Sequence, residues 1–337
     1  MENKTLSYYI VPLYNVDPTD MDPRILPDGY KLISNREFFA KYRPYLVNHH
    51  SDLEADIQIT WEGQIVKRVT ATYLLMKELQ VQSLFEGKKF NPDINDELYK
   101  REQETIIEWI FALRLLCSGN IQVYQSYSLS KDFYASYSLS IGTIIDNLDN
   151  VWNFSKEEIC SLDNYLLGQV KSDDLSAMLF KCKNNYLSMK IPLNYWISYY
   201  QERDLINRII KLAIIWEATL LNDKKNELQY TLKMRGSCVL QKDIRKVFDL
   251  AYNVRSQLLH TGLVEQKTIN RINEYLGKYY KNTWTTLFYF IKDVLEPMTR
   301  NILVHFLDSI NENHLTLEQT AISIDDKICS LLSLNKE

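Results

Sequence analysis

The stretch Tyr252-Asn253-Val254-Arg255-Ser256-Gln257-Leu258-Leu259-His260-Thr261-Gly262 decides the reading of the whole second half of the chain. From Ile244 the apolar positions Val247, Phe248, Ala251, Tyr252, Leu258 and Leu259 recur at helical spacing, and Arg255 falls inside the same stripe. An unpaired guanidinium in a dry interior costs on the order of several kcal/mol, so Arg255 needs a carboxylate, a subunit boundary or an anionic ligand. Gly262 supplies a helix stop, which puts His260 in the last turn. An arginine and a histidine five positions apart near the end of a core helix point to chemistry on a phosphate.

Working outward, helical patterning continues on both sides. Leu205 to Leu221 is strongly apolar, with Ile209, Leu212, Ala213, Trp216 and Leu220 forming a stripe and Glu217 on its edge. A helix over about Glu227 to Leu240 turns Leu228, Leu232 and Val239 to one side with Arg235 between them, so a second arginine points inward. Two more helices are expected after the motif, Gln266 to Tyr280 and Thr283 to Leu295, the latter stopped at Pro297. Two final helices flank Asn311-Glu312-Asn313-His314. The expected division is a mixed α/β domain over 1–185, a helical bundle over 186–298 and a helical appendage over 299–337, in all an α+β protein.

The first half reads as strands, turns and one long helix. Leu6 to Tyr14 is rich in strand formers and precedes a turn-rich loop ending in Pro27-Asp28-Gly29. Ile57 to Val69 reads as two short strands around Glu62-Gly63. Leu98, Ile106, Trp109, Ile110, Leu113 and Leu116 predict a helix from about Asp96 to Cys117. Tyr127-Ser128-Leu129-Ser130 returns ten residues later as Tyr137-Ser138-Leu139-Ser140, which predicts a β-hairpin.

Of 337 residues 46% are hydrophobic, enough for two packed domains. The formal charge of −4 argues against a general nucleic-acid coat, yet Lys224 to Lys281 holds twelve Lys and Arg against five Asp and Glu. The positive excess therefore surrounds Arg255 and His260. Five widely spaced cysteines fit neither a disulfide framework nor a zinc site, and His49-His50 with Asp52, Glu54 and Asp56 reads as an exposed loop. Neither a cofactor motif nor a metal set emerges. The 23 tyrosines read as a bias of the whole chain. The N-terminal residues carry no signal-peptide pattern and no apolar run reaches membrane-spanning length, so a cytoplasmic location with no membrane partner is expected.

The order of Trp216-Glu217-Ala218-Thr219-Leu220-Leu221, an inward Arg235, and Arg255 followed by four residues and His260 resembles the HEPN superfamily, more narrowly its Apea-like branch. The resemblance covers about residues 190 to 297. It implies a small helical bundle that dimerises, and in many members a metal-independent ribonuclease with arginine and histidine as catalytic residues, here Arg255 and His260. Ser256 stands where nuclease members often carry Asn, Asp or His, and Gly262 where the branch modified by nucleotide-transferring antitoxins has tyrosine.

Arg255, His260 and the supporting Ser256, Glu217 and Arg235 are thus the candidate site. Five positions on a regular helix turn a side chain by about 140°, so Arg255 and His260 share a face only if the helix distorts or ends between them. A two-fold homodimer offers another solution, bringing two copies of each residue together. Glu217 is the expected counter-charge for Arg235 or Arg255. The expected function is an RNA endonuclease, with the N-terminal half receiving a trigger or regulatory partner as in an antiviral or growth-arrest effector. The alternative is an inactive HEPN dimerisation or ligand-binding module.

Overall fold

The computed structural model describes residues 4–14, 16, 24–25, 27–42, 57–61, 64–69, 71, 73–82, 85–86, 89–90, 95–117, 121, 123–130, 134–141, 170–202, 204–222, 224 and 228–334. The fold is α+β: an antiparallel sheet with flanking helices comes first, then an all-helical bundle. Two compact units part between Leu179 and Phe180, inside helix α3 (Ser172–Asn185).

The first unit is built on β1 (Lys4–Leu13), β2 (Arg24–Ile25), β3 (Lys31–Ser34), β6 (Tyr73–Gln82), β9 (Val123–Ser130) and β10 (Tyr134–Ile141). Their order is β10-β9-β1-β6-β3-β2. The run from Leu6 takes the centre because it pairs on both sides, Tyr9 facing Lys77 on one neighbour and Ser128 on the other. The repeated Tyr-Ser-Leu-Ser words form a hairpin, with Tyr127 opposite Ser136 and Tyr137 opposite Ser126. The two strands expected over Ile57 to Val69 form as β4 (Ile57–Trp61) and β5 (Gln64–Val69), paired antiparallel. A third small pair is β7 (Phe85–Glu86) with β8 (Lys89–Phe90). His49, His50, Asp52, Glu54 and Asp56 lie outside the described residues.

Alternation along the strands explains how two helices cover the sheet. Tyr8, Ile10, Leu74, Met76, Tyr127 and Leu129 fill one core with Phe38 and Tyr42 of α1 (Asn35–Tyr42). The opposite face carries Ser7, Tyr9, Lys77 and Ser128 under α2 (Asp96–Leu116). The serines there leave room for α2 side chains: Ser128 donates to Tyr99 Oη at 2.8 Å, and Ser7 and Ser128 share a 2.8 Å hydrogen bond. Glu102 accepts from Tyr30 at 2.6 Å and from Lys77 Nζ at 2.9 Å through both oxygens. Burial and that adjacent carboxylate raise the Tyr30 phenol far above its ordinary value.

The second unit contains α4 (Lys190–Gln201), α5 (Leu205–Leu220), α6 (Leu228–Leu240), α7 (Arg245–Thr261), α8 (Gln266–Leu276), α9 (Thr283–Phe290), α10 (Glu296–Asn313) and α11 (Leu317–Leu334). Asp204 caps α5, its Oδ1 accepting from Ile206 N at 2.7 Å and Asn207 N at 3.0 Å. Trp216 is the hub: its indole donates to buried Thr299 Oγ1 at 2.7 Å and its ring meets Phe248 edge-on at 5.2 Å. Phe248 lies over Gly236, where a β-carbon would collide with the ring, so α6 and α7 approach closely at that glycine.

Two expectations are corrected. Thr283 to Leu295 does not stop at Pro297; α9 runs through a π-helical turn, Ile291–Leu295, directly into α10. The wider turn, in which Glu296 N–H reaches Ile291 O, accommodates a proline that would otherwise clash with a carbonyl four residues back. Residues 299–337 are also not set apart: Ile302, Leu303, Phe306 and Leu307 are fully buried, and the last two helices belong to the bundle's own compact unit.

Candidate functional site

Helix α7 is unbroken from Arg245 to Thr261 and ends on Gly262, whose φ of 71° is left-handed and whose N–H returns to Leu258 O at 3.0 Å. Val247, Phe248, Leu250, Ala251, Val254 and Leu258 bury one side of it. Leu259, expected on that side, is instead 53% exposed, because it follows Leu258 by about 100° around the helix.

Arg255 sits at the margin of the buried face. Its Nη2 lies 3.3 Å from Glu217 Oε1 on α5, its guanidinium carbon is 5.7 Å from the Tyr252 ring centre, and its side chain remains 22% exposed. Arg255 Nε is buried with no hydrogen-bond partner among the described residues. Glu217 is itself one-third exposed, so this single ion pair is worth about 1 kcal/mol or less. With Nη2 on Glu217 and Nε enclosed, the remaining Nη donors are the ones that could meet an incoming anion.

Arg235 differs on every count. It is fully buried; Nε and Nη2 meet Asp325 Oδ1 and Oδ2 at 2.8 and 2.6 Å, and Nη1 donates to Leu220 O at 2.6 Å. Of the two arginines that Glu217 was expected to serve, it takes Arg255, while Asp325 of α11 takes Arg235. Lys224 adds a second cation 3.3 Å from Asp325, and the Arg235 hydrogen bond holds this carboxyl below its ordinary range. The sequence does carry a signal for Asp325: it falls eight residues after Leu317, in the stripe of Leu317, Ala321 and Ile324.

His260 is exposed and makes no hydrogen bond or ion pair among the described residues. The turn beyond it is well held. Thr261 Oγ1 donates to Gln257 O at 2.8 Å, Gln257 Nε2 donates to Thr268 Oγ1 at 3.2 Å, and Gln257 Oε1 accepts from Glu265 N at 3.1 Å. Gln257 and Thr261 thus position the helix end on which the imidazole stands, a role that a motif of arginine and histidine does not reveal. Leu259 and Leu263, 53% and 71% exposed, flank it with apolar surface. Ser256 is half-buried beside Arg255 in sequence and has no hydrogen bond of its side chain among the described residues.

Within the chain, Arg255, Glu217 and Tyr252 are therefore assembled, Arg235 belongs to a separate buried cluster, and His260 stands apart at the helix end. Among the described residues no group of three or more His, Cys, Asp or Glu side chains is placed to hold a metal ion, and no helix is long and apolar enough to cross a membrane. The chain matches no protein-family model, no curated protein and no solved structure.

Proposed function

We propose that the chain is a metal-independent RNA endonuclease of the HEPN type, with its site completed across a homodimer of the helical unit. The observation that carries the reading is the state of Arg255: a guanidinium held from one side by Glu217 and open on the other, on the same unbroken helix as an exposed His260. The regular helix keeps the two residues about 140° apart, which favours a composite site over one built in a single protomer. The apolar rim of Leu259 and Leu263 around His260 is surface that a second copy would cover.

In the reaction, one histidine removes the proton of an RNA 2′-hydroxyl as its oxygen forms a bond to the adjacent phosphorus. The bond from phosphorus to the 5′-oxygen breaks, and the second histidine protonates the departing oxygen. Arg255 stabilises the charged phosphorane, Glu217 holds the guanidinium in place, and Ser256 supplies a hydroxyl beside it. Arg235 contributes only to the bundle. The N-terminal unit would receive the trigger of an antiviral or growth-arrest effector.

A second reading, an inactive HEPN dimerisation or ligand-binding module, is favoured by the carboxylate that Arg255 already has. Incubating total RNA and tRNA with wild-type and His260→Ala protein in EDTA separates the two. His260-dependent cleavage by a dimer supports the enzyme; no cleavage by wild type supports the module, and full activity from a monomer would falsify the composite site.

A further inference from the structure

At the opposite end of α7 from His260, the loop after α8 presents Lys278-Tyr279-Tyr280-Lys281. Its backbone is clamped. Buried Asn273 donates from Nδ2 to Tyr280 O at 3.1 Å, while its Oδ1 accepts from Tyr280 N at 3.2 Å and from Thr286 Oγ1 at 3.1 Å. The Tyr280 ring is stacked on Tyr289 at 4.7 Å and 7°, with Lys292 Nζ 5.5 Å from the Tyr289 ring centre. Gly277, at φ 64°, turns the chain out of α8. On this fixed support the Tyr279 ring is 73% exposed.

The charges at this end sort into two groups. Arg245 is engaged by Asp243 at 2.6 Å, Lys246 by Glu274 at 3.5 Å, and Lys233 by Asp249. Lys278, Lys281 and Lys242 are exposed or nearly so and have no ion pair among the described residues. The Lys246–Glu274 pair joins the start of α7 to the end of α8, so Lys242, just before α7, shares this end with the loop. Unneutralised cations beside a pre-ordered aromatic face match a polyanion whose bases are available for stacking; a duplex hides those faces and an acidic peptide has none.

We infer that Tyr279, with Lys278, Lys281 and Lys242, is a docking site for an unpaired stretch of RNA. The inference rests on the proposed ribonuclease reading for its purpose, though not for its measurement. Fourteen residues of helix separate Lys246 from His260, about 21 Å, so a strand engaged here and cut at the histidine end must be several nucleotides long.

Binding of a fluorescein-labelled oligoribonucleotide without internal pairing, measured by anisotropy in the full-length His260→Ala protein, tests this. Adding Tyr279→Ala should weaken binding on the order of tenfold, with Tyr279→Phe restoring it. Lys278→Gln with Lys281→Gln should reduce the slope of log affinity against log salt by about 1.4. A blunt duplex of the same sequence should bind weakly in all variants. Unchanged binding in Tyr279→Ala, equal losses for strand and duplex, no binding by the parent, or equal Tyr279-dependent binding of polyglutamate would each overturn the inference. A Tyr279-dependent strand site in a protein that cuts no RNA would sink the nuclease reading and leave this one standing. His260-dependent cleavage with no effect of Tyr279 on binding would do the reverse.

Discussion

Arg235 and Arg255 occupy neighbouring helices, the spacing of both predicts cations turned toward the core, and the structure treats them oppositely. Arg235 meets a carboxylate with two nitrogens and a carbonyl with a third, and is fully buried. Arg255 has one ion pair at 3.3 Å, a buried Nε with no hydrogen-bond partner among the described residues, and a side chain that remains 22% exposed. Inward direction alone therefore does not separate a guanidinium whose donors are saturated from one whose donors are not. The number of donors already engaged does, because a saturated guanidinium has nothing left with which to hold a phosphate.

The largest effect expected from this contrast is on cleavage. On the proposed nuclease reading, Arg255→Ala should lower the cleavage rate by about 10²-fold or more while sizing and circular dichroism remain those of wild type. Arg235→Ala should instead lower the folded fraction and leave the specific activity of what remains; the reverse pattern would break the assignment. Next comes stability in urea. Asp325→Asn removes the charge that balances buried Arg235, leaving it neutral acceptors such as Leu220 O, and should cost about 3 kcal/mol, whereas Glu217→Gln should cost about 1 kcal/mol or less. Equal losses would mean that the two pairs are alike.

Gly236→Ala should follow at about 1–3 kcal/mol, since its methyl must displace the Phe248 ring, which also meets Trp216 edge-on. A gain in melting temperature, the usual result of replacing a mid-helix glycine, would show that the ring can move. The smallest effect is on pH dependence. Arg235 depresses the folded-state pKa of Asp325, so its stabilisation is complete above the unfolded value of about 4 and fades as pH falls through the lower folded value. Melts across that acid range should fall less steeply in Asp325→Asn than in wild type.

What the sequence disclosed follows from the range of each signal. Periodicity is local, so Leu205–Leu220, Leu228–Leu240 and Arg245–Thr261 were legible nearly to the residue, as were the two strands from Ile57 and the hairpin at Tyr127. The sheet order was not, because β1 finds its neighbours about seventy and a hundred and twenty residues away. Arg235 was read as inward, yet its partner lies 90 residues on, beyond the region that the HEPN resemblance covers. His260 was legible as a residue type, while its exposure and the hydrogen bonds of Gln257 and Thr261 around it depend on how α7 meets α8. Tyr279 was lost among 23 tyrosines, since composition cannot distinguish a ring on a clamped loop from one in the core.

The π-helical turn at Ile291–Leu295 has the form of a one-residue insertion into an otherwise continuous rod from Thr283 to Asn313. An extra residue advances everything downstream by about 100°, and in this phase Thr299 faces Trp216. Excising a single residue there would rotate α10 away from that contact and leave Pro297 against a carbonyl. The irregularity is thus a frame setting, and the chain should tolerate replacement of exposed Asp293 in this turn far better than any change in the turn's length.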